Sequence, residues 1–168
     1  DNTYFTNTDI TNWDRTQAKY YAPFIRLPAG SAYLGDGSPI NRFFPVMGNH
    51  DWDVGGSAAS YTSYFRLPGN ERYYTVRSGP VQLFMLSSDS RETDSNAAGG
   101  VQYNWFISQL AASTAPWKLV LFHHPAQTST SGHAPDAAMR AFDEAWRNGR
   151  TPDAIRRAAA QAQPQEAA

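Results

Sequence analysis

Two apolar runs, each ending in histidine, constrain this chain more than any other feature. Phe43-Phe44-Pro45-Val46-Met47 leads straight into Gly48-Asn49-His50-Asp51, and Val120-Leu121-Phe122 leads into His123-His124-Pro125. A short continuous apolar run bounded by turn residues is the pattern of a buried strand. A buried strand that empties into a Gly-Asn turn carries polar side chains to the end of a sheet, where loops hold chemistry. The chain has four histidines, His50, His123, His124 and His133, and all four lie in or just after these two segments. That clustering points to metal and phosphate chemistry.

The rest of the sequence supplies helices around those strands. Thr11 to Tyr21 carries Trp13, Gln17, Tyr20 and Tyr21 at helical spacing, with Pro23 to end it. Residues 28–41 are rich in Gly, Ser and Pro and form a loop. Ser57 to Phe65 is a short helix bearing Tyr61, Tyr64 and Phe65, and Leu67-Pro68-Gly69-Asn70 has turn chemistry. Tyr73 to Arg77 and Val81 to Leu86 pair as a hairpin across Ser78-Gly79-Pro80. A polar loop covers Ser87 to Gly100, and Val101 to Ala112 is an amphipathic helix with Phe106, Ile107 and Leu110 inward. Trp117 to Phe122 reads as a strand buried on both faces. Asp136 to Arg147 is a helix with Met139, Phe142 and Trp146 on one side, closed by Gly149.

Helices alternating with buried strands predict an α/β fold in layers. Residues 1–149 form one domain. Residues 150–168 change to an Ala/Gln/Arg-rich tail with Ile155 as its one large apolar residue, which predicts a solvated helix or a disordered end.

Composition narrows the function. A charged fraction of 17% beside 14% aromatic residues belongs to a folded chain. The net charge of -1 and the lack of any Lys/Arg block leave no nucleic-acid surface. No apolar stretch approaches the roughly twenty residues of a membrane span. With no cysteine, any metal is held by oxygen and imidazole. The first residue is Asp1 and not Met, and the expectation is a piece of a longer protein.

Gly48-Asn49-His50-Asp51 matches a G-N-H-D motif, Val120-Leu121-Phe122-His123 matches V-x-x-H, and Asp1-Asn2-Thr3-Tyr4 matches the end of G-D-x-x-Y. With these motifs the chain resembles the calcineurin-like metallophosphoesterases, and within them the purple-acid-phosphatase-like branch. The likeness runs from Asp1 to about Trp146. It includes Asn41-Arg42-Phe43-Phe44 and Leu67 to Tyr74, stretches common in bacterial members. It implies a layered β-sandwich flanked by helices, here incomplete, and hydrolysis of small-molecule phosphate esters with two metal ions of iron, manganese or zinc. The implied metal ligands are Asp1, Tyr4, Asn49 and His123. His50 would contact phosphate or protonate the leaving group, Asp51 would orient its imidazole, and His133 would assist. Asn49, His50 and His124 would face substrate, with a structural role equally open for His124.

The departures from the pattern matter as much. No D-x-H precedes Asp1, and residues 147–168 hold no histidine where the family has G-H-x-H. The expectation is a fragment with an incomplete dinuclear site and little or no activity of its own, marginal in stability. The resemblance also implies a periplasmic or secreted protein; oligomeric state stays open. The rival reading is a non-catalytic relative or a binding domain that uses Trp52, Tyr61 and Tyr64 as exposed aromatics.

Overall fold

The computed structural model describes residues 1–4 and 9–148. The expected tail of residues 150–168 and the stop at Gly149 lie outside the described residues. Along the chain run α1 (Ile10–Trp13), α2 (Lys19–Tyr21), α3 (Ala59–Phe65), β1 (Tyr74–Ser78), β2 (Val81–Met85), α4 (Val101–Ala112), β3 (Trp117–Leu121) and α5 (Ala137–Asn148). The strands make one three-stranded sheet, ordered β1-β2-β3. The hairpin pair is antiparallel, from Tyr74 opposite Met85 to Ser78 opposite Val81, and turns at Gly79 with φ +54. β2 and β3 are parallel, with Leu83 opposite Leu119 and Met85 opposite Leu121. This is a mixed α/β fold, and the sheet lies between two cores.

One face of the sheet packs on α4 and α5. Phe84 and Leu86 meet Phe106, Ile107 and Leu110 of α4 and Met139 and Phe142 of α5, with Val120 and Phe122 of the β3 segment alongside. The Phe106 ring sits edge-on to Phe84 at 5.7 Å and 5.3 Å from Phe142. Each such fully buried aromatic contributes about 2–3 kcal/mol of burial. α4 begins after Gly100 and ends before the extended Ser113. α5 is started by Asp136, whose carboxylate accepts from the Met139 amide at 2.8 Å.

The other face carries an aromatic core of Trp13, Tyr61, Tyr64, Phe65 and Tyr74 with Ile25, Met47 and Met85. Trp52, Tyr61 and Tyr64 are 6%, 0% and 1% exposed, so they build this core and offer no binding surface. The helix from Ile10 to Tyr21 is interrupted by a π-helical stretch, Asp14–Ala18. The wider turn brings Asp14 and Gln17 inward. The buried Asp14 carboxylate accepts from the Ser31 and Tyr64 hydroxyls, both at 2.7 Å, and from the Ala32 amide. Burial, and after it the Asp14 carboxylate, hold the Tyr64 phenol well above its ordinary pKa.

Two strand expectations need correction. Phe43 to Met47 is not a strand and pairs with none among the described residues. Its carbonyls are taken by side chains instead: Tyr61 and Tyr74 donate to the Pro45 carbonyl at 2.9 and 2.6 Å, and Asn2 Nδ2 to the Val46 carbonyl at 2.8 Å. Pro45 itself has no N–H to offer a ladder. β3 is half-buried on one face and exposed on the other. Trp117, Leu119 and Leu121 are 67%, 51% and 36% exposed, because the aromatic core stops at β1 and β2 and does not reach the edge strand. No helix among the described residues is long and apolar enough to cross a membrane.

Candidate active site

The Gly48-Asn49-His50-Asp51 turn is a single 3₁₀ turn over Asn49–Asp51, and its shape is set by one buried carboxylate. Asp51 is fully buried. Its Oδ1 accepts from the amides of Asn2 and Thr3 at 2.7 and 3.0 Å. Its Oδ2 accepts from the Gly48 amide and from Asn2 Nδ2, both at 2.8 Å. Three of the four bonds come from backbone amides of the turn and the segment beside it, the fourth from the Asn2 side chain, and none reaches the His50 ring. The expected role of Asp51 in orienting that imidazole is therefore replaced: Asp51 joins residues 1–3 to the turn. Gln17, turned inward by the π-helical stretch, adds a bond to the Asn2 carbonyl.

Gly48 is required by this junction. Its φ is -106, which any residue adopts, but a Cβ there would lie 2.2 Å from Asp1 Oδ1 and 2.6 Å from Asp1 N. Asp1 is pressed against the turn, and its Oδ1 accepts from the His50 amide at 2.9 Å. The other carboxylate oxygen lies 3.3 Å from His123 Nε2, and Asn49 Oδ1 lies 2.9 Å from the same nitrogen. The Asp1 ammonium stands 3.1 Å from His123 Nδ1. Burial first, then that ammonium and His124, lower the His123 pKa to about 4. The ring is neutral near pH 7, the form a metal requires.

Asp1, Asn49 and His123 thus bring a carboxylate oxygen, an amide oxygen and an imidazole nitrogen to one point from residues far apart in sequence. Ligand bonds of about 2.0–2.2 Å put neighbouring donors about 3.0–3.5 Å apart, and the spacing here is of that size. The donor set fits one divalent cation. Tyr4 stands apart from it: 73% exposed, its ring lies 4.7 Å from that of His50 and it touches none of the three donors. Among the described residues no group of three or more His, Cys, Asp or Glu side chains is placed to hold a metal; the third donor beside Asp1 and His123 is the amide oxygen of Asn49.

His123 and His124 follow β3, and the parallel β2 ends beside them, with the Leu86 amide bonded to the Leu121 carbonyl at 2.9 Å. The carboxyl ends of parallel strands are where α/β sheets place ligands. From the β2 end come three residues that the sequence reading missed. Ser88 lies against His124, its hydroxyl 2.9 Å from Nδ1. Asp89 holds Arg91 through two bonds of 2.7 and 2.8 Å. Arg91 in turn donates to the Asn49 carbonyl at 2.5 Å and lies over the Trp52 ring at 5.4 Å. Burial alone would raise the Asp89 pKa, but the bonds from Arg91 outweigh it and hold it below the usual carboxylate range. The Ser87-Ser88-Asp89-Ser90-Arg91 run was the available signal; it reads locally as a plain polar loop.

A cleft of about 680 Å³ opens over this arrangement. Asp1, Tyr4, Asn49 and all four histidines line it, with Thr128 and Thr130 on the far side. Of the site residues expected from sequence, only Asp51 is withdrawn from the cleft, buried beneath it. No curated protein matches the chain. The family model for calcineurin-like phosphoesterases matches residues 1–155. This chain belongs to the calcineurin-like phosphoesterase family, whose general activity is metal-dependent hydrolysis of phosphoesters.

Proposed function

We propose that this chain is a phosphatase-type member of its family, of the purple-acid-phosphatase-like branch, which binds one divalent cation through Asp1, Asn49 and His123 and takes small phosphate esters in the histidine-lined cleft. The observation that carries this is the convergence of three donors on one point within a cleft that gathers every histidine of the chain. The branch rests on Asp1-Asn2-Thr3-Tyr4, Gly48-Asn49-His50-Asp51 and Val120 to His123. A divalent cation, when bound, neutralises phosphoryl charge and polarises the phosphorus–oxygen bond. His50 is exposed at the mouth, against Tyr4, and hands a proton to the departing alkoxide. His124 and His133 supply N–H donors to phosphoryl oxygens from the opposite wall. Arg91 and Asp51 hold the turn so that Asn49 meets substrate without rearrangement.

The described donors suffice for one ion and not two, so turnover is slow. The test is metal content by mass spectrometry after loading with manganese, iron or zinc, beside p-nitrophenyl phosphate hydrolysis. One ion per chain, lost in His123→Ala, supports the reading. No ion in the parent chain overturns it, and a tightly bound pair with rapid turnover overturns the one-ion site.

A further inference from the structure

Ser88 is 1% exposed, and its hydroxyl has two partners, both on one residue. Its Oγ accepts from the His124 backbone amide at 3.0 Å and lies 2.9 Å from His124 Nδ1. A buried hydroxyl proton needs an acceptor, because an unmet one costs about 1–3 kcal/mol. Among the described residues Nδ1 is the acceptor within reach. A neutral imidazole carries one N–H and one bare nitrogen, and the bond made at one decides the other.

From this geometry we infer that Ser88 is a positioning residue: its hydroxyl donates to His124 Nδ1, fixes the Nε2–H tautomer and aims that N–H into the cleft as a neutral donor to a phosphoryl oxygen. His124 Nε2 has no protein partner among the described residues, while the ring lines the cleft beside His123, centroids 4.9 Å apart. No hydrogen bond joins the neighbouring Asp89 carboxylate to the ring among the described residues; its oxygens accept from Arg91. Ser88 therefore holds His124 from two sides, at the backbone and at the ring, and leaves one direction for its remaining N–H. The proton that results differs from that of His50: it is a fixed donor and not one to be given away. The phosphoryl part of this inference rests on the proposed function; the tautomer does not.

The experiment is long-range ¹H–¹⁵N correlation of the histidine rings at about pH 8, where an ordinary imidazole is neutral. A protonated ring nitrogen and a bare one resonate far apart, so the tautomer is read directly and without turnover. The expected result is Nε2–H for His124 in the parent chain, a mixed population in Ser88→Ala, and restoration in Ser88→Thr, which keeps the hydroxyl. A Nδ1–H tautomer in the parent chain, or an unchanged Nε2–H in Ser88→Ala, overturns the assignment. Should Ser88→Ala not fold, the parent spectrum alone decides the tautomer. Titration with inorganic phosphate separates the two parts: a shift of the His124 Nε2–H resonance supports the donor role, and its absence overturns that role while the tautomer stands or falls on its own spectrum.

Discussion

The two walls of the cleft are built on opposite principles. The Gly48–Trp52 wall is fixed from every side: Asp51 beneath it makes four hydrogen bonds, Arg91 holds the Asn49 carbonyl and Asp1 fills the space where a Cβ would stand at Gly48. The wall from residue 125 to 135 is held lightly. Thr128 and Thr130 bond to each other and His133 is exposed, with the Pro125 carbonyl and the Gln127 amide reaching only the start of α5 and Asp143. The difference separates two tasks. Donors that share one small cation need positions good to a fraction of an ångström, whereas a wall that accepts a variable organic group does not.

The sharpest way to break the comparison is to remove the carboxylate at its centre. Asp51→Ala strands the amides of Asn2, Thr3 and Gly48 away from water, each at about 1–3 kcal/mol, and the sum is less than additive. The expected loss is about 4 kcal/mol, read as a fall in the urea midpoint with an unchanged slope. Asp51→Asn keeps two acceptor lone pairs and should lose about half as much. An unchanged midpoint in Asp51→Ala would mean that the turn holds itself.

Gly48→Ala comes next and acts on the site more than on the fold. The added methyl must displace Asp1, since the clash is with its backbone nitrogen and Cα as well as its carboxylate. In the proposed site Asp1 is one of three donors, so manganese affinity by calorimetry should fall at least tenfold, about 1.4 kcal/mol. The melting temperature should move by only a few degrees, for about 1 kcal/mol lost in a chain of this size. Equal affinity in the variant would show that Asp1 is no ligand.

How far this division could be read in advance depends on how local its causes are. α4 emerged with its bounds at Val101 and Ala112 because a glycine and a polar break flank an apolar stripe, all within a dozen residues. The hairpin emerged within one residue of its expected bounds because Gly79 sits where the turn needs a positive φ. Phe43 to Met47 was expected as a short buried strand, but its Pro45 and Val46 carbonyls are met by Tyr61, Tyr74 and Asn2, partners that no local window contains. Trp117, Leu119 and Leu121 look buried in sequence, yet their exposure depends on where a distant core ends. Asn49, His50 and His123, which the motifs singled out, line one cleft. The motifs mistook the direction of Asp51, whose adjacency to His50 in sequence is not adjacency of side chains. Ser88, Asp89 and Arg91 were invisible because only the parallel pairing of β2 with β3 brings them to the site.

Arg91→Ala sharpens the comparison at an intermediate level. It removes the bond to the Asn49 carbonyl and the guanidinium bonds to Asp89, which keeps only the backbone amide of residue 91, but the arginine side chain is 40% exposed and water replaces part of the loss. The expected cost is about 1 kcal/mol in stability, with manganese affinity falling about threefold as the Asn49 amide loosens. Arg91→Lys should recover most of the stability and little of the affinity, because one ammonium cannot span Asp89 and the Asn49 carbonyl together. Recovery of both would mean that charge alone, and not the fork geometry, supports the turn.

The smallest stability effect belongs to the lightly held wall. His133 is exposed and has no protein hydrogen bond among the described residues, so His133→Ala should change stability by no more than about 0.5 kcal/mol. Metal affinity should also stay put, since the ring lies outside the donor set of Asp1, Asn49 and His123. What should change is phosphate: a ring that lines the cleft opposite the rigid turn meets the ligand and nothing else, so removing it should weaken inorganic phosphate binding about three- to tenfold in the manganese-loaded chain, roughly 1 kcal/mol for one N–H donor. The same measurement on Thr130→Ala, on the same wall, calibrates what a residue of that segment contributes by shape alone. If His133→Ala lowered the melting temperature as much as Gly48→Ala does, the two walls would share one structural task, and the division between a fixed metal side and an accommodating substrate side would fail.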